Sequence, residues 1–206
     1  MESYITVLTE GAATVLEKKS RFIAEVYYAE REEEVFAILE KKKKQYWDAK
    51  HHCYACILGT GANPVKRFSD DGEPAQTAGK PILEVMEGRN VTNCMVVVSR
   101  YFGGTLLGTG GLVRAYSQAA KEALDNSVLV TRQMTDFLRI ETDYNGIGKI
   151  LYLLGQHGLT AEDTSYGENV VITVGVPATM SDRLMSDITE ATCGKATMEK
   201  LFSEFR

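Results

Sequence analysis

The run from Asn93 to Leu124, NCMVVVSRYFGGTLLGTGGLVRAYSQAAKEAL, restricts the fold more than any other stretch of the chain. It opens with Met95-Val96-Val97-Val98, apolar, mostly β-branched and flanked by polar residues, which predicts a buried strand. A loop follows with glycine at 103, 104, 108, 110 and 111. Then Leu112, Val113, Ala115, Tyr116, Ala119, Ala120, Ala123 and Leu124 recur at helical spacing. Strand, glycine loop and helix is the arrangement that aims unpaired backbone N–H groups at an anion. Arg100 at the strand exit and Arg114 one turn into the helix add cations there. The candidate anion- or nucleic-acid-binding set is therefore Arg100, Tyr101, Phe102, Gly103, Gly104, Gly108, Thr109, Gly110, Gly111 and Arg114, with Tyr101, Phe102 and Tyr116 able to stack a base. A purely structural loop stays open beside it, because glycine also serves tight packing and positive φ. Known phosphate motifs do not match. Thr109 stands where a P-loop has lysine, and Val113 stands where a dinucleotide fingerprint has glycine.

The formal net charge of −5 argues against a broad basic surface, so any nucleic-acid site has to be local. The N-terminal MESYITVLTE lacks the pattern of a signal peptide, and no apolar run nears the roughly 20 residues of a membrane span. Cysteines scattered at 53, 56, 94 and 193 suit a reducing compartment. Together these predict a cytoplasmic protein with no membrane contact.

Taken in order, Tyr4 to Val7, Ala12 to Lys18 and Arg21 to Tyr27 read as strands, with the basic pair Lys18-Lys19 at a hairpin turn, read either as solvated or as a phosphate contact. A helix from about Glu30 to Tyr46 carries acids in its first turn and lysines at its end, complementing the helix dipole, with Val35, Phe36, Ile38 and Leu39 as its buried face. His51 to Leu58 reads as a strand. Its Cys53 and Cys56 fall on opposite faces and so make no metal pair. His52 is the candidate site histidine. The segment Gly59 to Pro81 reads as loop. Asp70, Asp71 and Glu73, with Thr77, form a candidate acidic site, read either as hard ligands for Mg²⁺ or as a turn and helix cap with Pro74 at the first helical position. A short helix from about Thr77 to Glu87 follows. Val128 to Val130 reads as a connecting strand, and a domain boundary is expected near Thr131 to Met134. The remainder, with Ser181 or Thr179 capping its second helix, has the order β-α-β-β-α-β of a ferredoxin-like domain.

The segments HHCYACILG, RFSDDGEPAQTAGKPIL and VVVSRYFGGTLLGTGGLVRAYSQAA together resemble the YigZ/IMPACT family over roughly residues 15 to 125. The second half is similar to the second domain of bacterial members. The resemblance implies an α+β, two-domain protein. Residues 1–131 would form a βαβ-type domain similar to a ribosomal small-subunit protein, to domain IV of elongation factor G and to small-molecule kinases of the GHMP class. Residues 132–206 would form a ferredoxin-like domain similar to domain V of elongation factor G. Eukaryotic members carry a different N-terminal domain and regulate translation initiation by competing for an activator of an initiation-factor kinase; without such a domain in this sequence, that partner is not implied. The characteristic residues carried over by motif are His52, Asp70, Asp71, Gly72, Glu73, Pro74, Thr77, Gly79, Arg100, Tyr101, Phe102, Gly103, Gly104, Gly108, Gly110, Gly111, Arg114 and Tyr116, and no catalytic role comes with them.

Two functions lead on this basis, beside a third in which the glycines only shape the loop and Tyr101-Phe102 is a protein contact patch. The first is a cytosolic, non-enzymatic, translation-associated regulator that contacts RNA, the ribosome or a translation factor, with no cofactor, no metal and no catalytic residue. The alternative is a phosphate- or nucleotide-binding enzyme of kinase or hydrolase type using the carboxylates for Mg²⁺.

Overall fold

The computed structural model describes residues 2–206, and the chain separates into two compact units, 3–131 and 132–206. The first unit opens with β1 (Ser3–Thr9), β2 (Gly11–Glu17) and β3 (Ser20–Tyr28), then α1 (Glu32–Gln45), β4 (His51–Leu58), β5 (Val65–Ser69), α2 (Gly79–Gly88), β6 (Cys94–Tyr101) and α3 (Thr109–Asp125). Its main sheet has the order β2-β3-β6-β4-β5, every neighbouring pair antiparallel. β3, α1 and β4 thus form a split βαβ unit with β6 running between the two parallel strands.

The apolar run of β6 is covered on both faces, which is why it does not alternate. Val96 and Val98 join Phe22, Ala24, Cys53, Ala55 and the inner faces of α2 and α3. Met95 and Val97 join Cys56, Leu58 and α1. Cys53 and Cys56 fall on opposite faces of β4, as their spacing requires. The buried stripe of α1 is Val35, Leu39 and Lys42. Phe36, expected inside, is 53% exposed because it lies about 100° around the helix from that stripe. Lys42, one of the lysines at the end of the helix, is buried, its Nζ donating to Glu25 Oε1 at 2.6 Å.

The second unit takes up β7 (Val128–Thr142) and continues through α4 (Ile147–Gln156), β8 (Asp163–Tyr166), β9 (Val170–Pro177), α5 (Ala178–Ala191) and β10 (Thr197–Phe205). Its sheet runs β10-β7-β9-β8, all antiparallel, the strand order of a ferredoxin-like domain. Val170, Ile172, Val174 and Val176 alternate inward against Ile150, Leu154, Leu184 and Ile188. Three local expectations need correction. β7 is one strand where a connecting strand and a separate strand were expected. Neither Thr179 nor Ser181 caps α5: Pro177 takes that position without a side-chain bond. The stretch from 59 to 81 contains β5, formed where Val65–Ser69 pairs with Tyr54–Leu58.

Candidate functional site

At one end of the first unit's sheet, register aligns Phe22 of β3, Arg100 of β6 and His51 of β4 side by side. Arg100 is 5% exposed. Its Nη1 donates to Glu73 Oε1, and the hydroxyl of Tyr116, reaching down from α3, donates to the same oxygen at 2.8 Å. His51 Nε2 lies 3.8 Å from that oxygen, and its Nδ1 is 2.7 Å from the Asp71 carbonyl. Cys53 Sγ sits 3.0 Å from the Asp70 carbonyl and 3.3 Å from the Tyr116 hydroxyl. Burial pushes the Cys53 thiol and the Tyr116 phenol far up, so both stay protonated at neutral pH and neither is an activated nucleophile. Arg100 therefore does not stand open to an outside anion, as the sequence led one to expect. Its charge is matched internally, and only its Nε is buried without a partner.

The acidic residues have separate partners. Asp70 accepts the backbone N–H of Gln76 at 2.7 Å, Ala78 at 3.0 Å and Gly79 at 2.8 Å, so it caps α2 from outside the helix. Pro74 precedes the helix by several residues and is not its first residue. Asp71 Oδ2 accepts His52 N at 2.6 Å, and Thr77 Oγ1 donates to the Pro74 carbonyl at 2.7 Å. Among the described residues no three His, Cys, Asp or Glu side chains are arranged to hold a metal ion. Both oxygens of Asp70 and one each of Asp71 and Glu73 are engaged by backbone N–H groups, Arg100 and Tyr116, and the carboxylates do not converge as a Mg²⁺ set would. His52 is also misplaced as a site histidine. It lies on the opposite face of β4, where its Nδ1 is 2.9 Å from Ser99 Oγ and burial lowers its pKa. The histidine that reaches Glu73 is His51, and strand alternation around the buried Cys53 is the signal that would have selected it.

The exposed part of the set lies along the glycine loop and the start of α3. Gly103 presses against the β2–β3 turn so closely that a Cβ there would sit 2.0 Å from the Lys19 carbonyl carbon. Gly108, at φ +70°, precedes α3 with no side chain capping it, and its carbonyl accepts Leu112 N at 3.0 Å. The N–H groups of the first turn, at Thr109, Gly110 and Gly111, have no intrahelical acceptor. Arg114 is exposed and its side chain makes no ion pair or hydrogen bond among the described residues. A Cβ on Gly110 would lie 3.7 Å from its Nη1, so the guanidinium rests over that turn. Arg114 also borders a cavity of about 500 Å³ with Val15, Glu17, Val85 and Gly111. Tyr101 is half-buried and donates to Asp48 Oδ1 at 2.8 Å. Phe102 is 42% exposed. The structure thus brings Gly108 to Gly111 together with Arg114, and leaves Arg100 in the interior. Sequence reasoning passed over Trp47, 81% exposed, and Lys50, whose Nζ lies 5.4 Å from the Phe102 ring centroid.

Comparison with known proteins agrees with this architecture. Residues 18–124 match the model of the Impact N-terminal domain, and residues 140–195 match a domain of unknown function, DUF1949. The chain is 35% identical over 200 residues to the IMPACT family member YvyE of Bacillus subtilis, covering 97% of this chain and 92% of that one. It is 38% identical over 183 residues to the IMPACT family member YigZ of Escherichia coli, covering 86% and 88%. A solved structure of a protein described as hypothetical superposes with a TM-score of 0.64 at 32% identity, covering 99% of this chain and all of that one. Motifs, topology and relatives agree that this chain belongs to the IMPACT family.

Proposed function

We propose that the protein is a cytoplasmic, non-enzymatic binding protein that acts on translation by holding a phosphate group of RNA at the start of α3. The observation that carries this reading is Arg114, an exposed guanidinium without a partner among the described residues, which rests over the open first turn of a long helix. A phosphate there would accept from backbone N–H groups and pair with a cation capable of bidentate contact. The family resemblance, which implies domains similar to domains IV and V of elongation factor G, favours a role in translation, with RNA, the ribosome or a translation factor as partner. A binding role is also favoured by the chemistry of the buried cluster, whose thiol and phenol are held protonated. The use of Asp70 as a helix cap weighs against the kinase or hydrolase alternative.

Sedimentation of a cell lysate on a sucrose gradient, at low and high salt, tests the reading. The wild type is expected to travel with ribosomal particles at low salt and to leave them as salt rises, whereas Arg114→Ala should remain at the top. Wild-type protein at the top under both conditions would rule out ribosome association, and co-migration insensitive to salt and to Arg114→Ala would rule out the phosphate contact.

A further inference from the structure

The segment Tyr101-Phe102-Gly103 at the exit of β6 gathers groups from two other parts of the chain, the β2–β3 hairpin and the turn between α1 and β4. Arg21, paired in register with Tyr101, lays its guanidinium 4.3 Å from the centre of that ring. Lys50 holds its Nζ near the Phe102 ring. Gly103 packs on the backbone of Lys19, which fixes the Lys18-Lys19 turn beside it. The bond from Tyr101 to Asp48 ties in the turn that carries Trp47. Lys18, Lys19, Arg21, Trp47, Lys50 and Phe102 are all exposed. Four cations stand here against two carboxylates, Glu17 and Asp48, in a chain that is acidic overall.

Folding alone does not account for this composition. Lys18 and Lys19 both have positive φ, +44° and +69°, backbone that asparagine and glycine take up far more readily. The chain's single tryptophan contributes little to a core from a position 81% in solvent. Planar rings interleaved with cations suit a ligand that alternates flat bases with phosphates.

We propose that Trp47, Tyr101 and Phe102, framed by Lys18, Lys19, Arg21 and Lys50, form a stacking platform for single-stranded nucleic acid. This deepens the phosphate-holding reading, on which it rests for the identity of the ligand, and adds a contact surface that does not include Arg114. A duplex keeps its base faces stacked within itself and binds the platform poorly.

Trp47 is the sole indole and so reports directly on its own surface. In the full chain, its emission is followed during titration with oligouridylate and oligothymidylate of roughly a dozen nucleotides, an RNA duplex and heparin. Both single strands should quench it, the RNA–DNA difference measuring any reading of the ribose, while duplex and heparin leave it unchanged. Arg21→Ala combined with Lys50→Ala should weaken binding about tenfold, and Phe102→Ala at least about fivefold, by anisotropy of a labelled strand. Absence of quenching by either strand at low salt, unchanged affinity in these variants, or heparin binding as tightly as the oligonucleotides would each overturn the platform. Loss of binding in Arg114→Ala with the platform variants at wild-type affinity would remove the platform and keep the phosphate site. The opposite pattern would remove the phosphate site and keep the platform.

Discussion

Arg100 and Glu73 leave water together, and each is tolerable in the interior only because of the other. Their side chains are 6% and 4% exposed, and Tyr116 satisfies the same carboxylate oxygen. Arg100→Ala should therefore cost about 3–5 kcal/mol of unfolding free energy, because it strands a buried carboxylate. Arg100→Met with Glu73→Leu should recover much of that loss, so the urea midpoint of the double variant is expected above that of the single one. Asp136 offers a pH test in the second unit. Burial alone would raise its pKa, but hydrogen bonds from Lys200, Ser203 and Ser181 outweigh burial and hold it below the ordinary 3.8. A depressed folded pKa stabilises the native state above the unfolded value, and that contribution disappears as pH falls through the folded one. Between neutral pH and about pH 3, wild type should therefore lose more stability than Asp136→Asn, measured by urea unfolding at each pH.

For the elements, α3 is the place where folding and binding separate. Gly110 is a poor helix former in an exposed first turn, and a methyl there would meet nothing nearer than Arg114 Nη1 at 3.7 Å. Gly110→Ala should stabilise the protein by about 0.5–1 kcal/mol while weakening RNA binding, since the methyl occupies the position proposed for phosphate. A thermal melt and an anisotropy titration on the same sample read both effects. The strand–glycine loop–helix pattern that contains this turn was legible in the sequence, because β6 is apolar on both faces and α3 keeps a clean period. The caps were not legible. Asp70 reaches its helix from nine residues before Gly79, and Pro177 precedes α5 with no side-chain bond, so neither obeys a local spacing rule. β5 was missed because VKRFS carries too little apolar alternation to betray a strand, and it exists by pairing with β4. The burial of Arg100 was hidden for a related reason. Its partner lies 27 residues away in a turn, a distance that no periodicity spans.

At the scale of the whole molecule, the two units have separate cores, one built by β2 to β6 with α1 to α3 and one by the ferredoxin-like half. The β-α-β-β-α-β order was readable because the elements after β7 are regular and bounded by turn residues, whereas the start of β7 was not. Residues 132–206, about 75 in number, have the length of domains that carry an independent core. Expressed by themselves they should show a cooperative urea transition by circular dichroism, and a featureless slope would mean that this core needs the rest of the chain. The sheet of the first unit ends in β5, and an outermost strand is where protein chains recruit one another into aggregates. Here that border carries Lys66 and Arg67, engaged by Glu87 and Glu32, between the partly exposed Val65 and Phe68. A second chain adding itself to this edge would first have to strip two ion pairs of their partners or their water, which makes β5 a gatekeeper of the protein's own solubility.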